Sequence, residues 1–443
     1  MHLISCAFRN KLLFAAAAFS VFLSASCLLS AQQLQTAEPE SVGMSSERLK
    51  RIDRVIDSYV QKEQVAGAIV LVARHGKVVY HKAYGYDDLD SKTPLKKDAI
   101  VRIASQTKAI TSAAVMMLYE EGYFLLDDPV SKYLPAFSNA QVLETFNAAD
   151  STYTTRPAKR EISIRDLLTH TSGIGYAVIG SKEANAIYAK NNILVGIENP
   201  DASLSEVMDR LGRLPLFHDP GTQYLYGLNT DVLGYLVETV SGKTLAAFFS
   251  ERIFTPANMK DSYFYLPESK QSRLATLYTE NGDKKTIKVA GNSAPIGRDG
   301  NMLENYPRKK GRYYSGGAGL SSTAFDYAIF LQMLLNGGIY NGKQLLSPTT
   351  VRLFTSNQIA GLKEGKNNFS LGFGITTAEQ AARFPMSEGT FDWGGAFGTQ
   401  YWADPAEGIV GVILTQKQPS SWGGEISAKF KAGVYQAIVK MKK

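Results

Sequence analysis

Cysteine is almost absent from this 443-residue chain, and its two copies both lie within the first 27 residues. Cys6 and Cys27 fall in a segment with two basic residues, an apolar run over 12–29 and a small-residue end at Ala31. This pattern is typical of a secretory signal peptide, here residues 1–31. The remaining residues, 32–443, would then hold no cysteine, which excludes disulfides, a cysteine nucleophile and thiolate metal ligands.

The same segment leaves two alternatives to soluble export open. Residues 24–27, Ser-Ala-Ser-Cys, loosely resemble a lipoprotein site, although the usual leucine three residues before Cys27 is missing. An uncleaved membrane anchor is the other alternative. We predict an exported protein, periplasmic or secreted, with a lipoprotein attached through Cys27 as the minor possibility.

Histidine is also scarce, with five copies in the sequence and four after residue 31. This scarcity argues against a histidine-rich metal site, and we predict no metal. The chain also lacks a Gly-x-Ser-x-Gly elbow, a His-Glu-x-x-His zinc signature and a Gly-x-x-x-x-Gly-Lys phosphate loop. The sequence therefore lacks the motifs that would indicate three common classes of enzyme.

The charge balance does not favour nucleic-acid binding. Lysine and arginine number 48 and aspartate and glutamate 41, a formal net charge of +7. The densest basic run, at 307–312, is predicted as a solvated loop, because a nucleic-acid interface usually needs a basic stripe or a recognisable module. With 44% hydrophobic and 20% charged residues, the composition is that of a folded globular protein.

Hydrophobic patterns predict similar elements at the two chain ends. At the N-terminal end a helix begins after Ser45, and strands follow at 68–73 and 78–83 around the turn 74–77. A long buried helix is predicted from Ser105 to Gly122. Towards the C-terminus the predicted elements are a helix at 323–335, strands at 369–375, 398–403 and 409–415, and a closing helix at 427–442.

We expect both chain ends to build one antiparallel sheet flanked by helices, an α/β (α+β) architecture. The sheet part would comprise about 40–125 and 310–443. The intervening part, about 126–309, is predicted to be mainly helical and inserted beside the sheet. Its polar stretches at 147–160 and 281–288 are predicted as long loops.

One Ser-x-x-Lys tetrapeptide, Ser105-Gln106-Thr107-Lys108, opens the long buried helix. Residues at i and i+3 share a helix face, so Lys108 can hydrogen-bond the Ser105 hydroxyl. The pair therefore suits a nucleophile and its base, with the helix N-terminus favouring an oxyanion. The tetrapeptide alone is common, and an N-cap serine followed by a surface lysine is the structural alternative.

The surrounding sequence, residues 102–114, resembles the first active-site motif of serine β-lactamase-related hydrolases, a family that includes class C β-lactamases and penicillin-binding proteins. Four further segments resemble the family in the same order: 125–135, 164–174, 220–222 and 315–320. The resemblance spans about 40–440. It implies the β-lactamase/transpeptidase-like fold with a helical insertion domain, an acyl-enzyme on Ser105, Lys108 in the base, and neither metal nor organic cofactor.

Two family motifs are altered here. Tyr226 aligns with the catalytic tyrosine of Tyr-x-Asn, but Leu228 stands where the family has asparagine. Trp393-Gly394-Gly395 replaces Lys-Thr-Gly, so the cation that holds a substrate carboxylate is missing from that position. By resemblance the backbone N–H groups of Ser105 and Ala396 form the oxyanion hole. Both changes resemble the family VIII esterases.

These observations predict an exported serine hydrolase that cleaves carboxylic esters with a Lys/Tyr general base. Its partner would be a small-molecule ester, β-lactam or peptide-like substrate. A β-lactamase or D-alanyl-D-alanine carboxypeptidase, an acyltransferase, and a non-catalytic binding protein similar to a penicillin sensor remain alternatives. The resemblance gives His170 a structural place and no part in proton transfer.

Overall fold

The computed structural model describes residues 33–193, 197, 202–289, 306–363 and 366–441. The predicted signal peptide, with Cys6 and Cys27, lies outside these ranges, as does 290–305 of the predicted insertion. In the described part of the chain, no helix is long and apolar enough to cross a membrane.

Short strands occur along the whole chain, and most of the longer ones lie near its two ends. Numbered in chain order, the strands are β1 Gln35–Thr36, β2 Gly67–Arg74, β3 Lys77–Asp88, β4 Thr93–Pro94, β5 Val101–Arg102, β6 Gln141–Asn147, β7 Thr152–Pro157, β8 Tyr278–Glu280, β9 Thr286–Lys288, β10 Ser321–Ser322, β11 Ile339–Tyr340, β12 Lys343–Gln344, β13 Gly374–Ile375, β14 Phe391–Gly395, β15 Thr399–Asp404 and β16 Ile409–Leu414.

Helices lie between the strands along the chain, and the last element is a helix. In chain order they are α1 Ser46–Leu49, α2 Arg51–Gln61, α3 Thr107–Glu120, α4 Ile164–Leu168, α5 Lys182–Lys190, α6 Leu204–Leu211, α7 Asn229–Ser241, α8 Leu245–Phe249, α9 Thr255–Ala257, α10 Glu268–Gln271, α11 Ala324–Leu335, α12 Pro348–Phe354, α13 Ala378–Ala381 and α14 Gly423–Gln436.

The main sheet joins the two chain ends, as the fold prediction required. Its strand order is β1-β3-β2-β16-β15-β14-β13, with β4 paired to β3. All pairs are antiparallel except β1 with β3. In the central strand β2 every residue is buried. Ile69 and Leu71 face one hydrophobic cluster and Val70 and Val72 the other, which explains why its sequence is a continuous apolar run.

Helices cover both faces of this sheet. Helices α2 and α14 pack together on one face, and α11 packs on β2, β15 and β16 on the other. The core beside α11 continues through α3 into α7, so the helical middle part shares one hydrophobic core with the sheet. Helix α3 is buried over 107–118 because apolar and small residues occupy all of its faces.

Several predicted elements differ from the observed ones. The polar stretches at 147–160 and 281–288, predicted as loops, contribute to the hairpins β6–β7 and β8–β9. The polar character of these stretches led to the loop prediction, although their threonines favour β-strands. Only Gly374–Ile375 of the predicted strand 369–375 forms a strand in the main sheet. Helix α14 begins at Gly423, four residues before the predicted start. The prediction missed these residues because the helix opens with two glycines, and glycine is a poor helix former.

Candidate active site

Ser105 lies in a tight turn that connects β5 to α3. Ala104, just before it, has φ +42°, a left-handed conformation that costs energy for a residue with a side chain. Arg102 fixes the preceding strand, because its guanidinium donates to the carbonyls of Tyr306 (2.6 Å) and Ala275 (3.0 Å). Ser105 is half-buried while the residues on both sides of it are buried. The turn therefore presents this one hydroxyl at the start of a buried helix.

Lys108 points back along the helix towards Ser105. The side chain is buried, with only 3% exposure, and its Nζ donates to the carbonyl of Gly317 at 2.8 Å. The Nζ also lies 3.4 Å from Ser105 Oγ and 4.7 Å from the centre of the Tyr226 ring. One amine thus contacts both the serine and the tyrosine that the sequence singled out.

Tyr226 completes this group from the helical middle part of the chain. Its hydroxyl donates to Ser105 Oγ at 2.7 Å. Tyr176 stacks on its ring with 5.5 Å between centroids, and His170 lies on it at 4.9 Å. The ring is therefore held by aromatic neighbours, and its hydroxyl is fixed at Ser105 Oγ.

His170 packs against Tyr226, and the histidine itself is neutral. Burial, together with the charges of Lys108 and Lys366, holds the pKa of His170 well below its ordinary value. Its Nδ1 accepts a hydrogen bond from Asn229 Nδ2 at 2.9 Å. The ring contacts Tyr226, and its Nδ1 is engaged with Asn229. A structural place for His170 stays a prediction.

At the altered second motif, neither Leu228 nor Asn229 places a polar side-chain group at Ser105. Leu228 is fully buried in the core. Asn229, one position later, is also fully buried, and it binds the side chains of Ser172 and His170. The Asn229 amide is therefore engaged inside the protein.

The altered third motif forms the end of β14. Trp393 packs between the rings of Tyr226 (5.7 Å) and Phe369 (5.2 Å). At Gly395 a Cβ atom would lie 2.2 Å from the carbonyl oxygen of Ile103, so only glycine lets this strand approach the turn before Ser105. Ala396 follows in the exposed turn to β15. Its N–H remains our predicted second oxyanion donor.

A buried carboxylate behind Lys108 was missed at the sequence level. Asp231 is fully buried on α7, and its Oδ1 accepts from Ser315 Oγ at 2.6 Å. A Cβ on Gly317 would lie 2.4 Å from Asp231 Oδ2 and 3.4 Å from Lys108 Nζ. Burial raises the pKa of Asp231, against the Ser315 hydrogen bond and the charge of Lys108. The sequence signal that could have indicated Asp231 was an acidic residue within the largely apolar pattern of 229–241.

A serine hydroxyl contacted by a buried lysine and a tyrosine is an arrangement that suits a nucleophile and its base. The chain belongs to the Beta-lactamase family, whose sequence profile matches residues 52–435. It is thus a serine hydrolase with the β-lactamase fold.

Similar proteins include esterases and an acyltransferase. Esterase EstB of Burkholderia gladioli is 30% identical, over 87% of this chain and 94% of EstB. Acyltransferase calJ of Penicillium decumbens is 27% identical, over 80% of this chain and 87% of calJ. The solved structure of EstCE1, a hydrolase with promiscuous acyltransferase activity, superimposes with a TM-score of 0.74 at 28% identity, covering 88% of this chain and 99% of EstCE1.

Proposed function

We propose that this protein is an exported carboxylesterase that forms an acyl-enzyme on Ser105. The observation that carries the proposal is the 2.7 Å contact between Tyr226 and Ser105 Oγ, with the Lys108 amine beside both. In this proposal Ser105 Oγ is the nucleophile, Tyr226 is the proton acceptor and Lys108 assists both from the same side.

In the proposed acylation step, Ser105 Oγ attacks the ester carbonyl and its proton passes to the phenolate form of Tyr226. The Lys108 cation stabilises that phenolate. The N–H groups of Ser105 and Ala396 bind the negative oxygen of the tetrahedral intermediate. When the intermediate collapses, Tyr226 returns the proton to the leaving alkoxide, so an alcohol departs and acyl-Ser105 remains.

Water completes the cycle. Tyr226 accepts a proton from the water that attacks acyl-Ser105, and the second tetrahedral intermediate collapses to the free acid. The proton returns to Ser105 Oγ. The overall change is ester plus water to acid plus alcohol. An alcohol in place of water would give acyl transfer, an alternative that the similarity to calJ and EstCE1 supports.

Two structural features favour esters over β-lactams and D-alanyl peptides. Trp393 offers one neutral N–H where the family lysine offers a cation, and the Asn229 amide is engaged with His170. An ester also needs less help for its leaving group, because an alkoxide leaves more readily than an amine anion.

The test is covalent labelling followed by turnover. Wild-type protein treated briefly with a fluorophosphonate should gain the mass of one adduct, whereas Ser105→Ala should gain none and Ser91→Ala, a change at an exposed serine, should label like wild type. Wild type should hydrolyse p-nitrophenyl butyrate and show negligible turnover of nitrocefin. Dominant nitrocefin turnover would replace the esterase assignment by β-lactamase, and labelling of Ser105→Ala would exclude Ser105 as the nucleophile.

Export is the other half of this proposal and has its own test. Leu34 is buried, and its N–H donates to the Tyr340 hydroxyl at 2.9 Å. Cleavage after Ala31 would therefore leave these contacts in place. The intact mass of protein released from the periplasm should correspond to a chain that begins at Gln32. A lipid-modified chain beginning at Cys27 would show a lipoprotein, and a full-length cytoplasmic chain would contradict export.

A further inference from the structure

The carboxylate of Asp231 and the amine of Lys108 both lie against the backbone of Gly317. A Cβ atom at Gly317 would lie 2.4 Å from Asp231 Oδ2 and 3.4 Å from Lys108 Nζ. The two charged groups are therefore within about 6 Å of each other, a distance at which an opposite charge favours the ionised form of a group. The mechanism proposed above gives Asp231 no part.

Asp231 also holds the backbone segment that Lys108 contacts. Ser315 Oγ donates to Asp231 Oδ1 at 2.6 Å, and the same Oγ accepts from the N–H of Ala318 at 3.0 Å. Between these two residues, the carbonyl of Gly317 accepts from Lys108 Nζ at 2.8 Å. The carboxylate thus reaches the amine in two ways, through its charge and through the backbone that receives the amine's hydrogen bond.

Each of these two charges is buried and needs compensation. Lys108 is 3% exposed and Asp231 is fully buried. Burial raises the pKa of Asp231, while the Ser315 hydroxyl, the charge of Lys108 and the backbone N–H of Gly317 favour the carboxylate. A buried charge is costly unless an opposite charge or hydrogen bonds compensate it. Asp231 and Lys108 provide this compensation for each other.

The other ionisable groups around Lys108 are phenols and an imidazole. The rings of Tyr226 and Tyr176 have their centres 4.7 Å and 5.5 Å from Lys108 Nζ. Burial and the charge of Lys108 lower the pKa of His170, so this ring adds no charge. In this set of neighbours, the negative charge comes from Asp231.

The phenols that face Asp231 do not add charge either. Burial raises the pKa of Tyr306 and that of Tyr313 well above the ordinary value, and the charge of Asp231 adds to both shifts. Both phenols therefore stay neutral. The charge of Asp231 acts on Lys108 with no second anion from these rings.

We propose that Asp231 is a positioning residue that keeps the Lys108 amine charged, so that Tyr226 rather than Lys108 accepts the proton of Ser105. The inference rests on the proposed ester hydrolysis at Ser105. Tyr226 and Lys108 share protons within one group, and a carboxylate beside the amine favours the state with the ammonium and the phenolate. This is the state that the proposed acylation step requires.

The pH dependence of hydrolysis tests this role. Asp231→Asn removes the negative charge and keeps the shape of the side chain. The Lys108 amine should then lose its proton at lower pH, so the alkaline limb of kcat/KM for p-nitrophenyl butyrate should move about one pH unit towards acid. A merely structural role would lower kcat/KM by the same factor at every pH. An alkaline limb at the wild-type position in Asp231→Asn would overturn the proposal.

Asp326→Asn is the matched control. Asp326 is 5% exposed on α11 and, like Asp231, accepts a hydrogen bond from a serine hydroxyl, here Ser262 Oγ at 2.9 Å. It also accepts from the N–H of Asp261 at 2.7 Å, and neither partner belongs to the site. This variant should keep the wild-type alkaline limb. An equal shift in both variants would reflect the loss of any buried carboxylate and would overturn the role given to Asp231.

A stability cycle tests the coupling of the two charges without catalysis. Lys108→Met leaves Asp231 as a buried carboxylate without its cation. Adding Asp231→Asn to Lys108→Met should therefore raise the urea midpoint, whereas Asp231→Asn in the wild-type background should lower it. The comparison of Lys108→Met with the double variant remains valid even if Asp231→Asn alone does not fold.

The cycle also separates failure of this inference from failure of the esterase proposal. If wild type hydrolyses no ester while the double variant is more stable than Lys108→Met, the charge pair stands and the esterase proposal fails. If wild type hydrolyses p-nitrophenyl butyrate while Asp231→Asn lowers the midpoint equally in both backgrounds, the two charges are not coupled and this inference alone is overturned.

Discussion

Tyr226 and Lys108 contact the same serine hydroxyl and would contribute differently to its reaction. In the proposed mechanism, Tyr226 provides the oxygen that receives the proton and Lys108 stabilises the resulting charge distribution; their contacts with Ser105 Oγ are 2.7 Å and 3.4 Å. Tyr226→Phe removes the acceptor and keeps the ring packed on His170, so kcat/KM for p-nitrophenyl butyrate should fall by about 100-fold or more. Lys108→Met should cause a loss of similar size, measured by the same steady-state assay.

Tyr235→Phe is the matched control for this prediction. Tyr235 lies on α7, nine residues after Tyr226, and its half-buried hydroxyl interacts with Asp209 at the other side of the helical part. This variant should keep wild-type kcat/KM. If Tyr226→Phe is as active as Tyr235→Phe, Tyr226 is not the proton acceptor.

Individual site residues were predictable where a motif names them. Ser105 and Lys108 lie one helical turn apart, and Tyr226 lies in a recognisable segment, so the sequence alone indicates all three. Asp231 belongs to no motif that the sequence analysis used. Its neighbour in space, Gly317, is distant in the chain, and only the fold brings them together.

At the scale of elements, Arg74 joins the end of β2 to two other segments. Its guanidinium is fully buried, and it bonds Glu407 Oε2 at 2.5 Å and the carbonyl of Glu407 at 3.2 Å. It also donates to the carbonyls of Val42 and Gly43, both at 3.0 Å. One side chain thus ties the N-terminal segment and the β15–β16 turn to the central strand.

Arg74→Met should therefore lower the free energy of unfolding by about 3–5 kcal/mol, because it removes the charge that compensates a buried carboxylate and leaves backbone acceptors without this donor. Urea unfolding followed by circular dichroism measures the change. Lys429→Met, which breaks the exposed pair with Glu425 on α14, should cost much less. Similar midpoints for the two variants would contradict the structural importance given to Arg74.

Elements with regular hydrophobic patterns were predicted well, and polar ones were not. The β2–β3 hairpin follows from apolar runs around His75 and Gly76, both of which adopt positive φ in the turn. The β6–β7 hairpin lacks such a signal, because most residues of β7 are exposed and polar. Its strands are fixed by pairing with each other, a long-range property that local patterns do not contain.

At the scale of the whole molecule, the site is built from three separated parts of the chain. Ser105 and Lys108 follow the N-terminal strands, Tyr226 comes from the helical middle part and Trp393 from the C-terminal strands. His170 lies among them, in ring contact with Tyr226 (4.9 Å) and Phe369 (5.6 Å). A charge on this histidine would therefore disturb the junction between the sheet and the helical part.

The contribution of the buried histidines to stability should consequently fall in mild acid. Burial lowers the pKa of His81, His170 and His218 in the folded state. Below about pH 6.5 the unfolded chain binds protons at these residues and the folded chain does not, so their contribution to stability is present above that pH and is lost as pH falls.

His170 alone should contribute a slope of up to about 1.4 kcal/mol per pH unit, since it is fully buried and would bind one proton only on unfolding. Urea unfolding of wild type and His170→Gln between pH 7.5 and 5 measures this slope. The substitution changes packing at every pH, but only the titration of His170 changes the slope. We expect the variant to lose stability less steeply below pH 6.5. Equal slopes would mean that His170 already binds a proton in the folded protein, and a charged imidazole would then lie against Tyr226 during catalysis.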